Sequence, residues 1–198
     1  DPVRGITNLS SGKMGYALAR AAREAGAEVT LVSGPTALAN PTGVQRINVQ
    51  TAQQMFDSVL GHVSGQDIFI AVAAVADWRV TNASAQKLKK TADGARPQLE
   101  FAANPDILAT VAALPDKPYC VGFAAESEDL LKHGKAKRLR KGVPLLVGNI
   151  GHATFGKDDI EMVLFDTNTE THFPPASKQI LARQLITEIS DRLRLPAH

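Results

Sequence analysis

A polar, glycine-containing segment, Asn8–Gly15, leads into the first predicted helix and has the composition of an anion-binding loop. Free backbone N–H groups at a helix start, together with two serine hydroxyls, favour a phosphate or another anion. The segment contains no G-x-G-x-x-G, and it is not a Walker A loop because Gly12-Lys13 is followed by Met14. An ordinary serine N-cap with close helix packing accounts for the same residues, so both interpretations stay open.

A second candidate follows a predicted buried strand, where small residues are succeeded by Asp77-Trp78-Arg79. Open α/β sheets bind ligands at the carboxyl ends of their strands, and small residues there let a ligand approach the backbone. The alternative is an aspartate that caps a turn and an arginine on the surface. Asn104-Pro105-Asp106 and Gly122–Glu126 stand at two further strand–helix junctions on the same expected edge. Phe123 could stack on a base there or serve as an ordinary core residue.

Two groups of cations lie near these junctions. Lys87-Leu88-Lys89-Lys90 belongs to a long polar stretch, Trp78–Arg96, that shows no clear helix or strand pattern. Loops of that length are typically functional or mobile, so the lysines predict a lid over a polyphosphate, with a solvated surface as the alternative. The second group ends a predicted helix, where cations also complement the helix dipole. It consists of Lys132, Lys135, Lys137, Arg138, Arg140 and Lys141.

The residue sets of the common hydrolytic and metal enzymes are missing from the sequence. The five histidines show no H-E-x-x-H or other metal spacing, and there is no G-x-S-x-G elbow. The single cysteine, Cys120, falls within a predicted strand and is expected to be an inert core thiol. Neither tyrosine has a lysine four residues later, as short-chain dehydrogenase catalysis would need.

The elements that must position these residues alternate between helix and strand. We predict helices over residues 14–25, 51–63, 104–114 and 127–141, with Gly26 just after the first, Thr51 as N-cap of the second and Pro105 at the start of the third. Pro174-Pro175 is expected to lead into a last amphipathic helix, in which Leu181, Leu185, Ile189 and Leu193 repeat every four residues.

Strands are predicted over residues 28–32, 44–49, 67–74, 119–124 and 144–148, and the third of them should be central and covered on both sides. Residues 160–165 and 171–173 should form a late antiparallel pair. This alternation predicts a single domain over residues 1–198. Its fold class is α/β, with a doubly wound, mostly parallel Rossmann-like sheet and a small antiparallel extension.

Length and charge limit the function classes. The chain has 198 residues and a formal net charge of +2, which is too small to drive non-specific binding to nucleic acid or an acidic membrane. The longest apolar run, Ile68–Ala76, is about half of the roughly 20 residues that a membrane helix needs. With one cysteine and no apolar leader, a cytoplasmic location is expected.

In their order along the chain, the motifs resemble those of the phosphopantothenate–cysteine ligase family of bacterial coenzyme A biosynthesis. The resemblance covers the chain from its start to about Asn149. It rests on Asp1-Pro2-Val3-Arg4, Asn8, Ser10–Gly15, Ala73–Asp77, Lys87-x-Lys89-Lys90, Asn104-Pro105-Asp106, Gly122–Glu126 and Lys137-Arg138-x-Arg140-Lys141. Each motif is weak alone, and the ordered set is specific.

The resemblance implies a CTP-dependent ligation of 4′-phosphopantothenate and L-cysteine through an acyl-cytidylate, with release of pyrophosphate and CMP. It implies catalytic roles for Asn8, which would act on the acyl-cytidylate carbonyl, for Lys87, and for Arg4, which would orient phosphopantothenate. Mg²⁺ is expected with the nucleotide, with unknown ligands. The implied nucleotide-binding residues are Ser11, Gly12, Met14, Ala71, Val72, Ala73, Asp77, Lys87, Lys90, Ala102, Ala103, Asn104, Pro105, Phe123, Lys137 and Lys141.

The resemblance also implies a homodimer, in which the late antiparallel strands could pair across the interface. Family members are often the C-terminal half of a bifunctional protein whose other half is a flavin-dependent decarboxylase, so this chain is expected to be the ligase half. They carry a strand and a Gly-Pro-Thr-Arg-like loop before the Asp1 segment, and without that loop the activity is expected to be impaired. Two alternatives stay open from the residues alone: a nicotinamide-dependent oxidoreductase and a nucleotide-sensing module without catalysis.

Overall fold

The computed structural model describes residues 1–90, 94, 96–126, 130–150 and 159–194, which form strands and helices in alternation. The strands are β1 (Thr30–Ser33), β2 (Gln45–Asn48), β3 (Ile68–Ala71), β4 (Trp78–Val80), β5 (Phe101–Ala103), β6 (Tyr119–Glu126), β7 (Leu145–Ile150), β8 (Asp159–Phe165) and β9 (Glu170–Ser177). The helices are α1 (Lys13–Glu24), α2 (Ala52–His62), α3 (Ile107–Ala112), α4 (Leu130–Lys141) and α5 (Lys178–Arg194).

The main sheet has five strands in the order β3-β6-β7-β8-β9. The first three strands run parallel, and β8 and β9 add to them as an antiparallel pair. Two smaller sheets consist of β1 and β2, which are parallel, and of β4 and β5, which are antiparallel. The predicted fold class, a mostly parallel sheet with a small antiparallel extension, is therefore confirmed.

The parallel part of the fold is divided between two sheets. In the described residues β1 pairs only with β2, and β3 pairs only with β6 among the strands, so each keeps one unpaired edge. The prediction of a central strand over residues 67–74 was wrong in length and place, because β3 ends at Ala71 and lies at the margin of the five-stranded sheet. All four of its residues are partly exposed, since no described strand covers that margin.

Helices cover both faces of the main sheet. On one face α1 and α5 pack over Val121, Leu145 and Val147, and on the other α2, α3 and α4 pack over Leu146 and Phe165. Phe165 is fully buried, and Gly134 of α4 lies directly against its ring, so a Cβ at Gly134 would collide with it. Helix α4 therefore packs closely on the sheet in this layer.

The helix starts follow local chemistry. Thr51 is the N-cap of α2, as predicted, and Gln54 completes a capping box with it. The serine N-cap of α1 was wrong, because the cap is Gly12 at φ 74° with no side-chain bond. Pro105 also falls outside its helix: Asp106 is the N-cap of α3 and accepts from the Ala109 amide at 3.0 Å. In both cases the residues that were predicted to begin the helix, a serine and Pro105, lie in the loop before the N-cap.

Strands β4 and β5 appear where the pattern predicted none, and β9 is longer than the strand predicted over residues 171–173. The polar stretch that begins at Trp78 contains β4, which pairs with β5. Strand β9 runs through Pro174 and Pro175, which were expected to lead into the last helix. A strand at the edge of a sheet tolerates proline because one side of its backbone needs no partner, and the register shifts between Ile160 and Met162 opposite. The late antiparallel pair itself is confirmed, within one chain.

Candidate functional site

The candidate site lies where β3 ends, and the N-terminal segment crosses it. We call residues 1–12, 72–90 and 101–106 the ligand edge. The side-chain amide of Asn8 donates to the carbonyl oxygen of Ala74, three residues beyond β3. On the other side, the Thr36 hydroxyl, which follows β1, donates to the Ser11 carbonyl at 3.4 Å. The segment before α1 therefore bridges the ends of β1 and β3.

The start of the chain is attached to the lysine loop. The Asp1 carboxylate accepts from the Leu88 amide at 3.2 Å and also pairs with the Arg4 guanidinium. Arg4 in turn donates to the Leu88 carbonyl at 2.9 Å. Lys87 and Lys90 are exposed on either side of Leu88. Arg4 and the lysines, which belong to motifs more than 80 residues apart in sequence, are thus adjacent.

Asn104 ties β5 to the loop after β3. Its backbone amide donates to the Asp77 carbonyl at 2.8 Å, and its side-chain amide donates to the Ala76 carbonyl at 2.8 Å. The Asn104 Oδ1 is buried and has no hydrogen-bond partner in the described part of the chain. Because buried acceptors are nearly always paired in native proteins, this oxygen faces the place of a donor from a ligand or solvent.

Lys141 reaches the same region from the end of α4 and pairs with the Asp106 carboxylate. Burial alone would raise the pKa of Asp106, but the bonds from Lys141 and the Ala109 amide outweigh it and lower this pKa. Asp106 therefore stays ionised and holds the Lys141 ammonium beside Asn104 and Pro105. Lys137 lies one helical turn earlier on α4.

Phe123 is placed differently from the other predicted nucleotide-binding residues. Successive residues of β6 face opposite sides: Gly122 lies against Leu108 of α3, whereas Phe123 packs among the side chains beneath α1 and α5. Met14 and Val72 pack on that same side. The predicted nucleotide-binding residues are thus divided between the two faces of the sheet. Most of them lie near the carboxyl ends of the parallel strands.

Several predicted positions contribute backbone and not side chains. Ala73 is exposed just after β3, and the Ala103 carbonyl accepts a hydrogen bond from Arg79 across the β4–β5 pair, where Ala102 is opposite Arg79. Ala71 and Val72 are partly buried at the end of β3, and Gly12 carries the left-handed cap of α1. The predicted helix start over residues 127–129 lies outside the described residues.

Asn149 was missed by the sequence reasoning. It lies near the carboxyl end of β7, in register with Ala125 of β6, and its Oδ1 is buried without a partner among the described residues. The signal in the sequence was an asparagine within an otherwise apolar run, Leu145–Ile150. A buried amide oxygen at this edge marks a second position where a ligand donor fits.

Two of the three carboxylates at the ligand edge are paired with cations, Asp1 with Arg4 and Asp106 with Lys141, which leaves Asp77 for a metal ion. No group of three or more His, Cys, Asp or Glu residues that could hold a metal occurs in the described part. The Asp77 carboxylate is exposed at the ligand edge, and it forms no ion pair with a described residue. Mg²⁺ is commonly held by one or two carboxylates together with substrate phosphates, so Asp77 fits a nucleotide-bound Mg²⁺ and not a resident metal centre.

No helix among the described residues is long and apolar enough to cross a membrane.

Comparison with known proteins gives consistent matches over the whole length. The sequence model of the DNA/pantothenate metabolism flavoprotein C-terminal domain matches residues 1–193. The coenzyme A biosynthesis bifunctional protein CoaBC of Vibrio parahaemolyticus is 45% identical over 195 residues, and the match covers 96% of this chain and 49% of that protein. CoaBC of Escherichia coli strain K12 is 44% identical over 197 residues, covering 97% and 48%. The chain spans about half the length of these curated relatives.

Solved structures agree with the sequence matches. The crystal structure of the C-terminal domain of CoaBC superposes with a TM-score of 0.82 at 34% identity, covering 98% of this chain and 88% of that one. A Cab2 variant in complex with phosphopantothenate-cysteine superposes with a TM-score of 0.76 at 16% identity, covering 96% and 81%, which shows a shared fold. The family resemblance of the motifs is thereby confirmed. The chain belongs to the family of the DNA/pantothenate metabolism flavoprotein C-terminal domain.

Proposed function

We propose that this chain ligates 4′-phosphopantothenate to L-cysteine at the ligand edge, using CTP, as a step of coenzyme A biosynthesis. The observation that carries the proposal is the set of hydrogen bonds that joins Asn8 to Ala74, Asn104 to Ala76 and Asp77, and Lys141 to Asp106. These bonds gather amide donors, small residues and a cation at one sheet edge. The CoaBC relatives and the phosphopantothenate-cysteine bound to Cab2 support the substrate class.

In the first step, the carboxylate oxygen of phosphopantothenate attacks the α-phosphorus of CTP. The bond to the β-phosphate oxygen breaks, pyrophosphate leaves and an acyl-cytidylate remains. Negative charge moves toward the leaving group, so fixed cations near it lower the barrier without a protein nucleophile. Lys141, held by Asp106, and Lys87 of the exposed loop are the cations that we assign to this role, together with Lys90 and Lys137.

In the second step, the neutral amine of cysteine attacks the acyl carbonyl, the mixed anhydride bond breaks and CMP leaves as the amine loses its proton. Charge develops on the carbonyl oxygen, and a preorganised amide donor stabilises it. We assign this donor to the Asn8 side chain, because its Nδ2 already donates to a backbone carbonyl and has a second hydrogen to offer. Arg4 would hold phosphopantothenate beside it.

Two buried acceptors support a nucleotide at this edge. Asn104 Oδ1 and Asn149 Oδ1 both lack a partner among the described residues, and a cytidine nucleotide offers donors in its ribose hydroxyls and base amine. Asp77 would hold the Mg²⁺ that accompanies the triphosphate, and the ion would neutralise part of the phosphate charge. We place the reaction in the cytoplasm, in a protein that is bifunctional as CoaBC is and that carries the flavin-dependent decarboxylase half implied by the family resemblance.

We also propose that a second copy of the chain covers the ligand edge. Apolar side chains there are unusually exposed: Leu9 by 86%, Ile6 by 67%, Val3 by 66% and Trp78 by 63%. The hydrogen bond from Asn8 to Ala74 ties the segment that carries the first three of these side chains to the loop that leads to Trp78, so we infer that the four side chains belong to one surface. Exposed apolar patches of this kind mark protein interfaces, and a homodimer would bury this one.

The test combines the chain with CTP, Mg²⁺, 4′-phosphopantothenate and cysteine. We expect pyrophosphate release that depends on phosphopantothenate, and amide formation that also needs cysteine. CTP binding without turnover would instead support a nucleotide sensor. Reduction of an added nicotinamide cofactor would support an oxidoreductase. Asn8→Asp should keep pyrophosphate release and lose most amide formation, by roughly 100-fold or more, as for other lost oxyanion donors.

Matched variants separate these roles from general effects. Asn40→Asp makes the same change in an amide that donates to the Val44 carbonyl at 2.9 Å, away from the ligand edge, and should leave both steps intact. Lys87→Gln should slow pyrophosphate release, whereas Lys89→Gln in the same exposed loop should not. A normal amide yield with Asn8→Asp would remove Asn8 from the second step, and an unchanged rate of pyrophosphate release with Lys87→Gln would make the loop a solvated surface.

A further inference from the structure

A second cavity lies at the opposite end of the parallel strands from the ligand edge. It has a volume of about 560 Å³ and opens where β6 and β7 begin, next to the end of α4. Its walls include the cations Lys117 and Arg138 and the apolar residues Pro118, Leu139 and Val143. None of the residues assigned above to the ligation lines it, so it is separate from the proposed reaction.

Among the described residues, the hydrogen bonds of the two cations in this cavity go to carbonyl oxygens. The Lys117 ammonium donates to the Ala112 carbonyl at 3.0 Å, and the Arg138 guanidinium donates to the Val143 carbonyl at 3.2 Å. Neither forms an ion pair with a carboxylate in the described part of the chain, and no carboxylate lines the cavity. Each retains further N–H donors, so two positive charges with free donors face the same space.

The apolar side of the cavity contains one side chain that is exposed to solvent and one that is buried. Leu139 is 70% exposed although it lies between two cations of α4, whereas Val143 is buried at 2%. Concave, mainly apolar sites with a few convergent polar groups are the usual form of a small-molecule site. A ligand that complements this one needs an apolar body for Leu139, Pro118 and Val143 and a single anionic group for Arg138 and Lys117.

We propose that this cavity is a second ligand site that takes a small amphipathic anion, with its carboxylate, sulfonate or phosphate on Arg138 and Lys117. Binding is non-covalent. The Cys120 thiol, which also lines the cavity, is 1% exposed and donates to the Pro118 carbonyl at 3.3 Å, and burial raises its pKa. The occupant would touch α4 between Lys137 and Lys141, the helix that also serves the proposed phosphate site.

The test uses two dyes of the same aromatic framework. 8-Anilinonaphthalene-1-sulfonate carries an anionic group, and N-phenyl-1-naphthylamine lacks it. Binding is followed by fluorescence titration and by methyl NMR signals of Leu139 and Val143, with Leu9 as a reference at the ligand edge. We expect the sulfonate dye to bind with one-to-one stoichiometry, to shift Leu139 and Val143, and to bind more tightly than the neutral dye.

Variants of the charged and the apolar lining residues measure how much each side of the cavity contributes to dye binding. Arg138→Met and Lys117→Met should each weaken binding of the sulfonate dye by about tenfold, the usual size for one charge-assisted hydrogen bond. Arg140→Met is the control, because Arg140 is exposed on the same helix and does not line the cavity. Leu139→Ser, at an exposed position that folding tolerates, should weaken binding of both dyes.

Three results would overturn the proposal. The dye could shift Leu9 and leave Leu139 and Val143 unmoved, Arg140→Met could weaken it as much as Arg138→Met, or the neutral dye could bind equally well. These outcomes are independent of ligase activity, so the second site and the proposed function can fail separately.

Discussion

The five-stranded sheet and the ligand edge are held in place by different forces. In the sheet, Phe165, Leu145, Leu146 and Val147 are fully buried between helical layers. At the ligand edge, Asn8, Ala74 and Asp77 are exposed, and polar bonds join segments that are far apart in sequence. Burial of apolar area is worth several kcal/mol per large side chain, whereas a net hydrogen bond contributes about 1 kcal/mol. The sheet therefore carries the stability, and the edge carries adaptable polar groups.

The largest expected effect comes from replacing a phenylalanine by alanine, once in the five-stranded sheet and once at the ligand edge. Phe165→Ala should lower the free energy of unfolding by about 3–5 kcal/mol, because it empties a packed site against Gly134. Phe101→Ala, at a ligand-edge position that is 53% exposed, should change it by no more than about 0.5 kcal/mol. Urea unfolding measures both. Equal costs would mean that the edge is part of the folding core.

The next effect concerns Asp166, in the turn between β8 and β9. Burial would raise its pKa, but bonds from Thr169, Asn168 and Arg192 outweigh it and lower the pKa to about 2. The ionised group therefore stabilises the fold above its unfolded value near pH 4, and this stabilisation is lost as the pH falls toward 2. Asp166→Asn should cost about 1–2 kcal/mol at pH 7 and much less at pH 2.

Asp191→Asn is the control for that series, because Asp191 is exposed on α5. The unfolding free energy of the Asp191→Asn variant should equal that of the unchanged protein at pH 7 and at pH 2. A parallel loss in the two variants between pH 7 and pH 2 would show that overall charge, and not the turn, governs acid stability.

A smaller loss of stability is expected at the ligand edge. Asn104→Ala removes the bond to Ala76 and should cost about 1 kcal/mol in unfolding while it lowers CTP affinity by roughly tenfold. Asn82→Ala removes two bonds, the one that Asn82 donates to the Gln98 carbonyl at 2.9 Å and the one that it accepts from the Glu100 amide at 3.1 Å, and should cost at least as much stability with no change in CTP affinity. Calorimetric titration with CTP distinguishes them. If both variants bind CTP equally, the buried Asn104 oxygen does not serve the nucleotide.

The smallest effect on folding is expected for Leu9→Ser, because Leu9 is 86% exposed. Its unfolding free energy should change by less than about 0.5 kcal/mol, whereas self-association measured by sedimentation should weaken. Leu193→Ser, which is 43% exposed on α5, is the comparison and should not affect association. A loss of association in both variants would move the interface away from the ligand edge.

Local patterns in the sequence were enough to predict the regular parts of the fold. Thr51 as an N-cap predicts the start of α2, and the spacing of Leu181, Leu185 and Ile189 predicts the buried face of α5, because neighbours within one or two turns decide both. The margin position of β3 was not predictable, since an apolar run reports burial and not which strands lie beside it. Strand β4 was hidden in a polar sequence because it pairs with β5 at an exposed position.

The candidate site shows the same limit. Ordered motifs predicted which residues gather at the edge, and the bonds of Asn8, Asn104 and Lys141 agree with that grouping. They could not predict that Phe123 faces α1 and α5 while Lys141 lies with α3, because this depends on the alternation of β6 in the assembled sheet. Asn149 was missed because one polar residue in a strand becomes informative only when its burial is known.

The unpaired edges of β1 and β3 have a consequence for amide hydrogen exchange. Backbone amides on those edges have no strand to bond among the described residues, so they should exchange with deuterium far sooner than the amides of β6, which has a neighbour on each side. Fast exchange on β3 and slow exchange on β6 would mean that two neighbouring strands of one sheet differ in the protection of their amides. A segment that docked between β1 and β3 would be detected first as new protection at those amides.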